Sequence, residues 1–306
     1  MTRLLVIEPQ PITDSVLAAS NVPETDHVEW APGTTYGNGV YVRRTSVHRT
    51  YRSVQAGNLN HDPVTDVDPV TKLGTWWIDA GATNRHRAFD NQIVNGVTHP
   101  DDIIYQLVPQ VNCDALAAFG LKATEITLTI REGSETIYSE TVNLLDTTQI
   151  INGWTYFFLE RVYYEEIAFI EIPAYRGNSV VITVSSGEAC GVGEIVIGHA
   201  NDLGNCLIGT TSSLLAFSRV ERDEFGNVRV IERPMVRRVE YNVQDIALNI
   251  YRLQRILTRV HAKPAVYIAG DPARGTAVYG FLNGPAAMPI GAGDYTTYSF
   301  AAEGVP

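Results

Sequence analysis

Cysteine, positive charge and long hydrophobic runs are all in short supply here, and each shortage closes off a class of function. Cysteine occurs three times in 306 residues, at Cys113, Cys190 and Cys206, with no Cys-x-x-Cys spacing. A disulfide framework or a four-cysteine zinc site needs paired, closely spaced thiols, so reduced and mostly buried thiols are expected. The 23 Lys and Arg are outnumbered by 34 Asp and Glu, giving a formal net charge of −11. Phosphate contacts need cations clustered on one face, so neither a nucleic-acid partner nor docking on an anionic bilayer is expected. The first apolar run, Leu4 to Ile7, stops at Glu8 and Pro9. That is short of a signal-peptide core, and no stretch reaches the roughly 18 apolar residues of a membrane span. The expectation is a protein made in the cytosol, with any exit from the cell by lysis.

Signatures of catalysis are missing as well. The seven histidines are scattered without a His-Glu-x-x-His pair or a His-Cys combination at ligand spacing, so no metal site is expected from spacing. There is no Gly-x-Ser-x-Gly elbow and no Walker loop. Gly191, Gly193 and Gly198 do not open a helix and read as a strand-to-strand turn. Asp62, Asp66 and Asp68 offer oxygen ligands, but the glycine and terminal glutamate of an EF-hand loop are absent, which favours a solvated acidic turn. A glycosidase needs two carboxylates across a cleft. Glu160, Glu165 and Glu166 supply acids, yet the adjacent pair Glu165 and Glu166 would point to opposite sides of a strand. No enzyme and no cofactor are expected.

What is present is a folded, β-rich chain. Hydrophobic residues make up 45 % and charged residues 19 %, which fits globular order, and the length suggests two or three domains. Ile126, Leu128 and Ile130 alternate with polar residues, Gly133-Ser134 supplies a turn, and Ile137-Tyr138 begins a return strand. Further strands are expected at Val180–Val184, Glu194–Ile197 and the "AVYIAG" run after Pro264, with a hairpin turning at Phe225-Gly226-Asn227. The run from Tyr41 to Val54 reads as one strand from its β-branched and aromatic content. Residues 57–74 read as a polar surface loop, and the end of the chain as short strands broken by Gly and Pro turns. One helix is expected over residues 244–260, where Ile246, Ile250, Leu253, Leu257 and Val260 share a stripe, with Asn242 as its N-cap.

The stretch "TWWIDAGATNRHRAFDNQI" concentrates Trp76, Trp77, Asn84, Arg85, Arg87 and Asp90. Sugar recognition sets an aromatic face against a pyranose ring and adds polar groups that fix the hydroxyls. Trp76 and Trp77 alternate across a strand, so at most one of them faces a ligand and the other plugs a core. Both readings stand at this point.

The segment from Tyr36 to Asp90 resembles the carbohydrate-binding-like segment of minor tail proteins from tailed bacteriophages. The resemblance rests on Tyr36, Gly39, Tyr51, Arg52, Ser53, Asn60, Pro63, Trp77, Gly81, Thr83, Asn84, Phe89 and Asp90. The middle of the chain is similar to the same proteins in "INGWTYFFLERVYYEEIAF" and in the Ser-Arg…Asp-Glu-Phe-Gly-Asn…Glu-Arg order, and so is the "PAVYIAGDPARGTAVYGFLNG" close, so the similarity spans roughly Tyr36 to Gly304. It implies a virion component of the tail tip or baseplate, assembled in the host cytoplasm as a cyclic homo-oligomer among other tail proteins. Host-surface glycan is the implied ligand, with Tyr51, Trp77, Asn84 and Arg87 as the expected ligand face. The expected fold is mainly β: a carbohydrate-binding-like β-region over 1–108, a jelly-roll-like β-sandwich over 109–234, and a small α+β closing domain over 235–306. A glycan-cleaving tail enzyme and an architectural adaptor without sugar binding are the alternatives.

Overall fold

The computed structural model describes residues 2–68, 71, 73–187, 189–222, 224–270, 277–289 and 293–306. The chain is mainly β, with strands gathered into several antiparallel sheets and little helix. The largest sheet has nine strands in the order Glu166–Ala174, Cys113–Phe119, Glu194–Cys206, Thr2–Pro9, Ala265–Ala269, Ala277–Ala287, Tyr295–Gly304, Met235–Ile246 and Thr211–Ala216. A second pairing sets Asn205 and Cys206 opposite Gln244 and Val243. It closes the circuit of six strands that runs from Glu194–Cys206 round to Met235–Ile246. Close approach is needed at one crossing: a Cβ on Gly198 would meet the Glu8 carbonyl oxygen at 1.9 Å, so only glycine lets Thr2–Pro9 lie against Glu194–Cys206.

A five-stranded sheet, ordered Glu135–Asn143, Glu125–Glu132, Ser179–Ser185, Ile103–Leu107 and Leu17–Ser20, packs on one end of the large sheet. The alternation seen in the sequence decides which side faces in. Ile126, Leu128 and Ile130 are buried with Val180, Ile182 and Val184 against Leu116, Ala118, Ile167, Phe169, Ile195 and Ile197. Thr127 and Thr129 face out and pair with Thr141 and Ser139 at 2.8 and 3.3 Å. These two layers are the expected β-sandwich. The hairpin Arg219–Arg222/Val228–Ile231 also forms as expected, with Gly226 at φ 84° in its turn.

Three expectations fail on tertiary grounds. The run Tyr41–Val54 is a hairpin of Tyr41–Arg44 and Arg49–Ser53 rather than one strand. A 3-10 turn at Thr45–Val47 ends on His48 at φ 54°, which reverses the chain. The helix begins at Ile250, not 244, because Met235–Ile246 is a strand whose residues Arg238 to Ile246 pair with the strand Tyr295–Gly304. Asn242 therefore caps nothing; its N–H donates to the Thr210 hydroxyl at 3.1 Å. At the end of the chain, two long strands, Ala277–Ala287 and Tyr295–Gly304, replace the short ones.

The boundaries at 108/109 and 234/235 fall between strands, but they do not separate cores. Thr2–Pro9, Glu194–Cys206 and Ala265–Ala269, one from each expected segment, are neighbours in the large sheet. Sheet edges must be paired or covered, and these strands satisfy their backbones across the segment borders. What stands apart from the sandwich is shorter than 1–108. It is a small module with a three-stranded sheet, Tyr41–Arg44, Arg49–Ser53 and Trp77–Ala82, and the Thr35–Tyr36/Asn58–Leu59 pair.

Candidate functional site

The small module carries the residues expected to face a ligand, and its core is built from two of them. Trp77, 1 % exposed, packs with Tyr36, Val42 and Tyr51. Tyr36 meets its ring edge-on at 5.3 Å between centroids. The indole N–H is satisfied internally, donating to the His61 carbonyl at 2.8 Å. Trp77 is thus the plug, and Tyr51 is buried beside it. Asp66 holds the start of this strand: its Oδ2 accepts the backbone N–H groups of both Trp76 and Trp77, at 2.6 and 2.9 Å. The acidic stretch that offered metal oxygens is spent this way, with Asp62 paired to Arg44 at 2.9 Å. Asp68 accepts from the Thr71 N–H at 2.6 Å. Residues 69, 70 and 72 of the same loop lie outside the described residues.

Asn84 and Arg87 sit on the 3-10 helix Asn84–Phe89. The Asn84 side chain donates to the Thr98 carbonyl at 2.9 Å and accepts the Thr98 N–H at 3.2 Å. Its backbone N–H goes to Asp26 at 2.6 Å. Arg87 donates to the Ala82 carbonyl at 3.3 Å and lies 3.6 Å from Asp26. Both side chains tie the helix to its surroundings. Tyr51, Trp77, Asn84 and Arg87 therefore do not converge on a common surface, because two build a core and two anchor a turn. The half-exposed aromatics are others: Trp76 stacks flat on His61 at 4.1 Å, and Tyr41 stacks on His27 at 5.1 Å.

Of the expected acids, Glu165 and Glu166 line one cleft of about 320 Å³ beside Arg237, while Glu160 lies elsewhere. Glu166 pairs with Arg237 at 2.6 Å, and Glu165 is exposed. The most perturbed acid is one that spacing did not single out. Burial, reinforced by the charge of nearby Asp90, raises Glu194 to about 9. It lines a cleft of about 450 Å³ with Phe89, Asn91 and Tyr279, yet its Oε2 accepts the Asn91 backbone N–H at 2.9 Å. An acid held against a turn in this way anchors the turn.

Sequence spacing also missed a histidine cluster. His48, in the left-handed residue that reverses the first hairpin, stacks on His86 at 3.7 Å with the rings 20° apart. His48 Nδ1 is 2.9 Å from Glu24 Oε1, and its Nε2 is 2.8 Å from Asp14 Oδ1. The Thr83 hydroxyl donates to the same Glu24 oxygen at 3.0 Å. Burial, with His48 alongside, lowers His86 to about 4, so the ring is neutral at neutral pH. No local motif marks these residues; the one hint is that His48 directly precedes the strand Arg49–Ser53 and His86 closely follows its neighbour Trp77–Ala82.

Two apolar surfaces complete the inventory. The hairpin Arg219–Arg222/Val228–Ile231 forms a two-stranded sheet separate from the large one. Val220, Val228 and Val230 share one of its faces and are all exposed, with Leu214 and Met235 exposed at its base. Beside that base lies a groove of about 410 Å³ lined by Phe217, Phe281, Leu282 and Val305. Elsewhere, the short helix Gly153–Phe158 is held by a reciprocal cap between Asn152 and Thr155, and it exposes Trp154, Phe157 and Phe158. Among the described residues no helix is long and apolar enough to cross a membrane. In comparison with known proteins, no family model, no curated protein and no solved structure matches the chain.

Proposed function

We propose that this chain is a structural subunit of a bacteriophage tail tip or baseplate, assembled in the host cytoplasm into a cyclic homo-oligomer among other tail proteins. The observation that carries the reading is the apolar hairpin over residues 219–231. A two-stranded hairpin is at best marginally stable alone in water, and a face of exposed valines adds surface that favours burial. The groove lined by Phe217, Phe281, Leu282 and Val305 lies beside the hairpin's base. A hairpin from one copy seated in the groove of the next makes a head-to-tail contact, and such contacts build a ring when the rotation between copies closes. The tail assignment itself rests on the resemblance of Tyr36–Asp90 and of the later motifs to minor tail proteins.

Native mass spectrometry of the purified chain tests the assembly. The wild type should form one closed oligomer, and Val228→Asp with Val230→Asp should yield a folded monomer. A wild type that stays monomeric at high micromolar concentration removes the ring. Proteomics of purified virions tests the location, and a chain that is abundant in lysate but missing from particles removes the tail reading.

Host-glycan attachment is the second reading, and its supporting observation is the flat Trp76–His61 stack. Aromatic faces bind sugars weakly, but copies arranged in a ring raise the effective concentration, so roughly millimolar single-site affinity suffices. A glycan array with wild type and Trp76→Ala decides it: a hit lost in the variant supports attachment, and an empty array leaves the architectural role alone.

A further inference from the structure

We propose that His48, His86 and Asp14 form a binding site for a divalent transition cation of the zinc class, backed by the Glu24 carboxylate. The bound cation would clip the connection that holds Asp14, between Thr2–Pro9 and Leu17–Ser20, onto the small module.

The donors come from three separate segments and meet only in the fold. One ligand atom from each of Asp14, His48 and His86 lies within 4.8 Å of the others. Glu24 organises the two rings. Its Oε1 is 2.9 Å from His48 Nδ1 and 4.0 Å from His86 Nδ1. Metal-binding imidazoles characteristically give their second ring N–H to a carboxylate, which fixes the tautomer and frees the other nitrogen for the metal. Here that arrangement assigns His48 Nδ1 to Glu24 and His86 Nδ1 to the Thr83 hydroxyl, which leaves Nε2 of each ring for the cation. The Glu24 side chain is only 7 % exposed, and the Thr83 hydroxyl steadies it while lying 3.3 Å from His86 Nδ1. Asp14 stands on the far side, 2.8 Å from His48 Nε2.

The donor set selects the ion. Two imidazoles and one carboxylate suit zinc, nickel or copper, whereas magnesium and calcium prefer all-oxygen shells. Bonds of about 2.0–2.1 Å in a tetrahedron put the donors ~3.3 Å apart. The rings are stacked at 3.7 Å with their planes 20° apart, so one ring must rotate out of the stack for both in-plane lone pairs to reach the same ion. Asp14, 79 % exposed, is free to swing in, and the fourth position is left to water.

Isothermal titration of the metal-stripped, full-length chain with Zn²⁺ tests this, with Mg²⁺ as the control. The wild type should take up one Zn²⁺ at this site, gain thermal stability from it, and ignore Mg²⁺. Asp14→Asn should weaken binding at least about tenfold and His86→Gln should abolish it, while Glu24→Gln should cost roughly 10–100-fold through the lost ring partner. Co²⁺ loaded in place of Zn²⁺ should give a visible tetrahedral spectrum without a thiolate charge-transfer band. Should His86→Gln fail to fold, the exposed Asp14→Asn variant decides alone. Absence of Zn²⁺ binding overturns the site. So does binding that Asp14→Asn leaves unchanged, or a thiolate band, which would move the metal to Cys113, Cys190 or Cys206.

Discussion

Glu194 accepts the backbone N–H of Asn91 at 2.9 Å across 103 positions of sequence, and the Asn91 side chain accepts the Tyr279 hydroxyl at 2.7 Å. This pair fastens the turn after the small module to the strand Glu194–Cys206, and through Tyr279 to the strand Ala277–Ala287. Three parts of the chain are joined at one buried acid.

That acid sets a pH dependence. Glu194 is raised to about 9 by burial first and by Asp90 second. The folded protein keeps the proton after the unfolded chain has released it. The resulting stabilisation is complete below the unfolded value, near 4.5, and is lost as pH rises toward about 9. One group limits the slope to about 1.4 kcal/mol per pH unit. Urea midpoints for the wild type should therefore fall between pH 5 and pH 8. Glu194→Gln, which stays neutral, should flatten the profile and exceed the wild type at pH 8. A variant that keeps the wild-type slope would assign the dependence to another group.

The two adjacent tryptophans should behave oppositely. Trp77→Ala empties the centre of the module and should cost about 3–5 kcal/mol, seen in chemical denaturation. Trp76→Ala removes a half-exposed ring stacked on His61 and should cost about 1 kcal/mol or less. Equal losses for the two would contradict the inward placement of Trp77.

The revised helix start is testable in the same way. Leu253 is fully buried with Leu4, Val6 and Leu203, while Ile246, on the same expected stripe, is 48 % exposed. Leu253→Ala should cost about 3–5 kcal/mol and Ile246→Ala about 1 kcal/mol or less. Comparable losses at both sites would mean that the stripe runs unbroken from 246.

Much of the fold was legible because strands have a period of two. Ile126, Leu128 and Ile130 declared both their strand and its buried face, and Gly226 marked the turn of the 219–231 hairpin. The helix was half legible: Leu253, Leu257 and Val260 are its inward stripe, but Ile246 matches the helical spacing while lying in a strand. A run of 12 residues with one long partner gains more from ladder hydrogen bonds than from its own helical preference. The reversal at His48 was hidden for a related reason. Histidine is only enriched, not required, at positive φ, so His48 gave a weak mark that its β-branched and aromatic neighbours outweighed.

By itself the sequence determined the class of protein. Its net charge of −11, its lack of long apolar runs and its alternating β-branched strands define an acidic, β-rich chain with no apolar run long enough for a spanning helix. Only the tertiary structure decided which way each side chain of the "TWWIDAGATNRHRAFDNQI" stretch points. Trp77 went inward, Asn84 and Arg87 went to backbone contacts, and His86, unremarked among scattered histidines, met His48, Glu24 and Asp14. The reason is physical. Periodicity reports which residues want burial, but the company of a polar side chain depends on strands that pair across tens of residues, and no local pattern encodes that pairing.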